Sequence, residues 1–286
     1  MEVTEGYLVN IELTIRELRH SSSIVRYEAA KRLGGIPAST DEAQIVIDPL
    51  IAALADSDSK VQYAAFSSLI KIGARRAVMP MIDTLINNLD SQLWALLKLN
   101  IGMRLRAGLI ELVDRGDNDL SDHLHKILTT EDSTLDEHQR ALFIRLLGKT
   151  GDPRRVDMLI SILLRNNVSL QVAAAEALGM VGDKRAVPPL MLFVRESEDT
   201  FSDNAVREVA VEALGRLGDL VAFDPLISCL SDPNEWVRRA AAEALGRLGD
   251  ARATEPLAQS LQDYSPMVQD AAFAAIKQLS ASPLSQ

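Results

Sequence analysis

VRRAAAEALGRLGD, residues 237–250, decides the fold. Its apolar residues return every three or four positions, as Ala241, Ala244 and Leu245 do, so one face of a helix is buried. The alanines let a neighbouring helix approach closely. The closing Gly249-Asp250 pair ends the helix, with glycine supplying a left-handed cap and aspartate opening the next helix. Thirty-one residues earlier the chain reads VREVAVEALGRLGD, residues 206–219. A unit that recurs at such a period stacks on its neighbours, and each copy buries its apolar face against the next.

Gly246 anchors the repeat register. Its equivalents by sequence are Gly34, Ile70, Gly102, Gly148, Gly179, Gly215 and Lys277, at spacings of 36, 32, 46, 31, 36, 31 and 31 residues. Gly-Asp recurs at 151–152, 182–183 and 218–219. The helix after each cap carries an early proline: Pro49, Pro80, Pro189, Pro225 or Pro256. Proline costs little there, because the first N–H groups of a helix have no partner within it. The pattern predicts an all-α, right-handed α-solenoid of about eight helical hairpins, one array over 1–286. Extra loop residues are expected near Ala38–Gln44 and Ser197–Asp203. The spacing of 46 places an irregular insertion at about 103–136, with an additional short helix at Asp119–Leu128. The tail Ser280–Gln286 is expected to fray.

Composition agrees with helices. Aromatic residues make up 4% of the 286 and hydrophobic residues 47%, so leucine, alanine, valine and isoleucine build the core. A net charge of -10 disfavours nucleic acid as a general partner. No apolar run reaches the roughly 18 residues of a membrane span, and the acidic N-terminus predicts no secretory leader. The one cysteine, Cys229, forms no internal disulfide and points to a reducing cytosol. It sits among apolar residues of a first helix, where a buried, inert thiol is expected. No phosphate-binding glycine loop, serine triad pattern or HExxH occurs.

Two rows stand out against the register. The place eight residues before the anchor holds Arg26, Gln62, Trp94, Arg140, Gln171, Arg207, Arg238 and Gln269. It reads either as an anion-binding row or as a ladder of structural contacts, with Asp232 lying six residues before Arg238. Glu176, Glu212 and Glu243 form the second row. Glu212 precedes Arg216 by four residues, and Glu243 precedes Arg247 by four, the favourable order for ion pairs on an exposed helix. Trp94, one of two tryptophans, replaces arginine beside the insertion, as a stacking platform, a protein-binding anchor or a core filler. Trp236, at a helix start, is expected to pack locally. Asp119 and His123 share a helical face, but a metal site needs three or four ligands and nothing supplies them.

EALGRLGDARATEPL, residues 243–257, resembles the HEAT-like repeats of the phycobilisome lyase family. The likeness is strongest over Asp152–Leu279 and fair over Leu8–Ile72. Val25-Arg26-Tyr27-Glu28-Ala29-Ala30 is similar to a run in the E subunits of heterodimeric bilin lyases. The resemblance implies a lyase subunit that binds a phycobilin as substrate, with no resident cofactor. It would assist attachment to a cysteine of a phycobiliprotein, beside a second HEAT-like subunit. Arginines would hold the propionates, carboxylates the pyrrole N–H groups and an aromatic ring the π-face. The residues so implied are Trp94, Arg140, Arg207, Arg238, Glu176 and Glu212. The thiol belongs to the acceptor, so positioning would do most of the work. The alternative is a non-catalytic scaffold whose many helices hold a client protein.

Overall fold

The computed structural model describes residues 2–87, 100–130, 135–195 and 201–281. All regular structure among them is helical. The chain divides into two compact units, Met1–Asp114 and Arg115–Gln286.

The first unit holds α1 (Glu2–Glu17), α2 (Ser23–Leu33), α3 (Asp41–Ala53), α4 (Ser59–Ile72), α5 (Val78–Asn87) and α6 (Asn100–Leu112). The second holds α7 (Asn118–Thr129), α8 (Glu137–Thr150), α9 (Val156–Leu163), α10 (Val168–Val181) and α11 (Val187–Arg195). It continues with α12 (Phe201–Leu217), α13 (Phe223–Cys229), α14 (Glu235–Leu248), α15 (Thr254–Ser260) and α16 (Pro266–Ala281). Within each unit the second helices of successive hairpins pack on one another: α2 on α4 and α4 on α6, then α8, α10, α12, α14 and α16 in turn. The first helices α3, α9, α11, α13 and α15 each lie against their own second helix. This is the stacked-hairpin architecture that the repeat predicts.

The caps follow the sequence closely. Gly249 takes φ 75°, where a side chain would be strained, and Asp250 accepts a hydrogen bond from the Arg252 N–H at 2.9 Å. That aspartate opens a short 3₁₀ turn, Ala251–Ala253, before α15 begins. Asp152, Asp183 and Asp219 open the same turn in the three preceding repeats. Pro80, Pro189, Pro225 and Pro256 are each the third residue of their helix.

Asp136 caps α8 with a full capping box. It accepts from the Gln139 N–H at 2.9 Å, while Gln139 Oε1 accepts from the Asp136 N–H at 2.7 Å. Asp136→Ala should therefore cost about 1 kcal/mol in urea unfolding. An unchanged midpoint would show that the cap contributes nothing.

Three expectations are corrected. The loop expected at Ala38–Gln44 ends at Thr40: α3 begins at Asp41, which leaves Pro49 inside the helix. Of the loop expected at Ser197–Asp203, residues 197–200 lie outside the described residues, and Phe201–Asp203 are helical, as the first residues of α12. The third correction concerns the register. A Cβ on Gly215 would lie 2.6 Å from Ala244 Cα, and one on Gly246 would lie 2.9 Å from Ala275 Cα. Each anchor thus packs on the residue two places before the next anchor, and Gly34, Gly148 and Gly179 do the same with Ser68, Ala177 and Ala213. Ile70 packs on Gly108, so the third anchor is Ile110 rather than Gly102. Helix ends agree, because α4, α8, α10, α12 and α14 all finish two residues after their anchor and α6 finishes at Leu112. The spacings become 40 and 38 residues instead of 32 and 46. The helix expected at Asp119–Leu128 exists as α7, but it is the first helix of its own hairpin, packed on α8.

Candidate functional site

The corrected register fixes what the arginine row does. Arg26 donates to both oxygens of Asp56, at 2.6 and 2.8 Å, and to the carbonyls of His20 and Ser21 at 2.9 and 3.1 Å. Arg238 repeats the arrangement in the second unit. It reaches Asp263 at 2.7 and 3.0 Å and the carbonyls of Asp232 and Pro233 at 2.8 and 3.1 Å. Arg207 pairs with Asp232 at 3.2 Å and donates to Asn204 Oδ1 at 2.6 Å. Where glutamine takes the place, Gln62 and Gln269 keep the carbonyl bond, to Asp56 and Asp263. Arg26 and Arg238 therefore tie their own loops to the acid of the next hairpin, and Asp232 serves Arg207 through its carboxylate and Arg238 through its carbonyl. Arg207 is 2% exposed and Arg238 is 4% exposed.

Bidentate geometry inside the protein makes these strong bonds. The bonds from Arg238 hold the Asp263 carboxyl below the usual carboxylate range, against the opposing effect of burial. Burial pushes Asp56 upward, but the bonds from Arg26 and the Asp58 N–H outweigh it.

The glutamate row is also internally engaged. Glu176 of α10 pairs with Arg145 of α8, the second helix of the preceding hairpin. Arg239 bridges two helices, reaching Glu243 and Glu208 at 2.9 Å and Glu212 at 3.5 Å. The pairs of Glu212 with Arg216 at 3.4 Å and of Glu243 with Arg247 at 3.1 Å follow the expected order. Burial raises the Glu212 carboxyl above its ordinary value, with Arg216 opposing. Sequence reasoning missed Arg145 and Arg239, because it looked for partners within one helix. Their signal was position: Arg145 and Glu176 occupy the same place in successive repeats.

Arg140 is placed differently. It lines a cavity of about 620 Å³ with His125, Thr129, Thr130, Ser161 and Arg165 as polar neighbours. Leu128, Ile144, Met158, Ile162 and Leu170 supply the apolar walls. That volume suits a small organic ligand. Arg140 Nε donates to the Leu135 carbonyl at 3.2 Å. His125 Nδ1 lies 3.2 Å from Met158 Sδ, and burial, helped by Arg155, lowers its pKa and favours the neutral ring.

Trp94 lies outside the described residues. In the corrected register its place in the row belongs to Gly102. Trp236 is 46% exposed and lies 5.6 Å from the Arg239 guanidinium. Tyr264, 79% exposed, covers Arg238 at 4.4 Å. Cys229 is buried, and burial pushes its thiol up to about 12, which leaves no thiolate at neutral pH. Among the described residues no group of three or more His, Cys, Asp or Glu is placed to hold a metal ion. No described helix is long and apolar enough to cross a membrane.

The model of the HEAT repeats matches residues 11–99, 121–201 and 200–277. No curated protein matches the chain. Among solved structures, an engineered protein is 21% identical at a TM-score of 0.45, over 96% of this chain and 79% of that one. Human deoxyhypusine hydroxylase, in complex with glycerol, is 16% identical at 0.41, over 97% and 99%. The complex of CpcE and CpcF of phycocyanin lyase from Nostoc sp. PCC7120 is 21% identical at 0.39, over 94% of each. At these scores none of the three carries an argument about function.

Proposed function

We propose that this chain, which belongs to the HEAT-repeat family, is a non-catalytic holding protein that keeps a client protein against exposed aromatic and aliphatic side chains. One observation carries the reading. Arg26, Arg207, Arg238, Glu176, Glu212 and Glu243 are spent on bonds inside the protein, while large apolar side chains near the start of the second helices stand in solvent. Ile24, 73% exposed, and Trp236 occupy the same repeat position. In the first unit Ile24, Tyr27 and Tyr63 line a cavity of about 530 Å³. In the second unit Trp236 and Tyr264 each rest on a guanidinium, which pins the rings before a partner arrives. Pinned aromatic rings lose little entropy on binding and serve as anchors of an interface.

The test is capture of a client on the immobilised chain, with the client identified and its affinity then measured. Trp236→Ala together with Tyr264→Ala should weaken that client by about 30-fold or more, with helicity retained. Equal affinity of the variant would end the assignment to these side chains.

A second reading is favoured by the cavity at Arg140 and by the resemblance of the repeat EALGRLGDARATEPL to those of the phycobilisome lyase family. In it the chain is a cytosolic lyase subunit that binds a phycobilin and works beside a second HEAT-like subunit. The thiol of a phycobiliprotein adds to the ethylidene group: a C–S bond forms and the thiol proton ends on the bilin. The chain would supply binding and orientation. Of the six residues named from sequence, Arg140 carries most of this reading, because it lines that cavity. Trp94, Glu176, Glu212, Arg207 and Arg238 would have supporting places.

A further inference from the structure

The last described helix, α16, exposes a face that the earlier repeats of its unit bury. Phe273 stands four residues before Lys277, the anchor of its repeat, and is 64% exposed. The same place in the second unit is held by Ile144, Ala175, Val211 and Ala242, none more than 1% exposed. Each of those lies on a second helix that the next second helix covers: α10 on α8, α12 on α10, α14 on α12 and α16 on α14. In α16 this side points away from α14, because Ala271, Ala272 and Ala275 on the other side are the buried ones.

The residues on this face argue against one more hairpin in the register of the array. Gly148, Gly179, Gly215 and Gly246 let each second helix close on the next, whereas Lys277 puts a long charged side chain at that place. The face carries a different pattern. Pro266, Asp270, Phe273, Lys277 and Ser280 are all exposed and follow one another at alternating intervals of four and three residues. That spacing is the seam of a two-helix coiled coil. Asp270 and Lys277 lie two turns apart with Phe273 between them, and neither is paired with a described residue. A stripe with an acid at one end and a base at the other complements itself when a second stripe runs antiparallel to it.

We propose that α16 pairs antiparallel with α16 of a second copy of this chain, about a two-fold axis passing between Phe273 and Ala274. That axis sets Asp270 opposite the second copy's Lys277, and symmetry makes the pair twice. It also sets the Phe273 ring against the second copy's Ala274, large against small. One pair of 16-residue helices lies at the low end of interface sizes, so association falls in the micromolar range. The inference rests on neither reading of the function above.

Sedimentation equilibrium of the full chain from about 1 to 500 μM tests it, and a reversible monomer–dimer equilibrium is expected. Phe273→Ser should weaken the dimer by about tenfold or more. The ring is exposed in the single copy, so its loss leaves the helical signal of the folded chain unchanged. Asp270→Lys alone and Lys277→Asp alone should each weaken the dimer by about tenfold, because each sets like charges opposite one another twice. The two substitutions combined in one chain should restore association to within about threefold of the parent. An equal mixture of the two single variants should do the same. A chain that stays monomeric throughout would leave the face to some other partner and overturn the proposal. So would a Phe273→Ser variant that associates like the parent, or a combined variant no tighter than the single ones.

Discussion

Arg238→Ala should cost about 3–5 kcal/mol of stability, the loss expected when one partner of a buried ion pair is removed. The substitution deletes both bonds to Asp263 and the bonds to the Asp232 and Pro233 carbonyls. It strands a carboxylate that is itself nearly buried, and it uncovers the inner face of Tyr264. Arg252→Ala is the control. Arg252 pairs with Asp250 at 2.6 Å on the exposed surface, where solvent screening leaves such a pair little to contribute. Urea unfolding of the two variants measures the difference. If Arg238→Ala loses no more than Arg252→Ala, the ladder does not hold the hairpins together.

Gly215→Ala should also destabilise, against what helix propensity alone predicts. Alanine within a helix is favoured over glycine by about 1 kcal/mol. Here the added Cβ would meet the Cα and Cβ of Ala244, both at 2.6 Å, on the facing second helix. Backbone on the far side leaves no side chain able to swing away. Relief requires the two helices to separate, and overpacking of this kind costs about 1–3 kcal/mol. The net effect should be a loss in urea unfolding, with the helical signal of the folded state retained. A neutral or stabilising outcome would mean that neighbouring hairpins yield easily at this contact.

The same contact explains what the sequence showed and what it hid. A close approach of two helices needs one small residue, and either partner can provide it. Gly215 and Gly246 provide it from the anchor side, so matching glycines found their repeats. At the third repeat Ile70 is large and Gly108 provides the space from the other side. Matching glycines therefore misplaced the anchor by eight residues, at Gly102, and set Trp94 in the arginine row. The caps were legible because Gly-Asp is a local signal with a local cause. The first turn of α3 was not, since Asp41–Gln44 reads as a loop in front of Pro49.

The candidate site was legible in part. Both readings of the arginine row were open from composition and spacing. Only the fold shows that Arg207 and Arg238 face acids of the following hairpin while Arg140 faces a cavity. The cross-helix bridging by Arg239 was hidden because its partners lie on two different helices, Glu208 and Glu212 on one and Glu243 on its own.

The most direct measurement is the visible absorption spectrum of the chain, affinity-purified after co-expression with a bilin-producing pathway, a phycobiliprotein acceptor and candidate HEAT-like partner subunits. A holding protein should emerge colourless, with its charged rows engaged on each other and its client bound through Trp236 and Tyr264. Pigment that co-purifies with the parent chain and is lost in an Arg140→Ala variant would contradict that account and establish the bilin reading in its place.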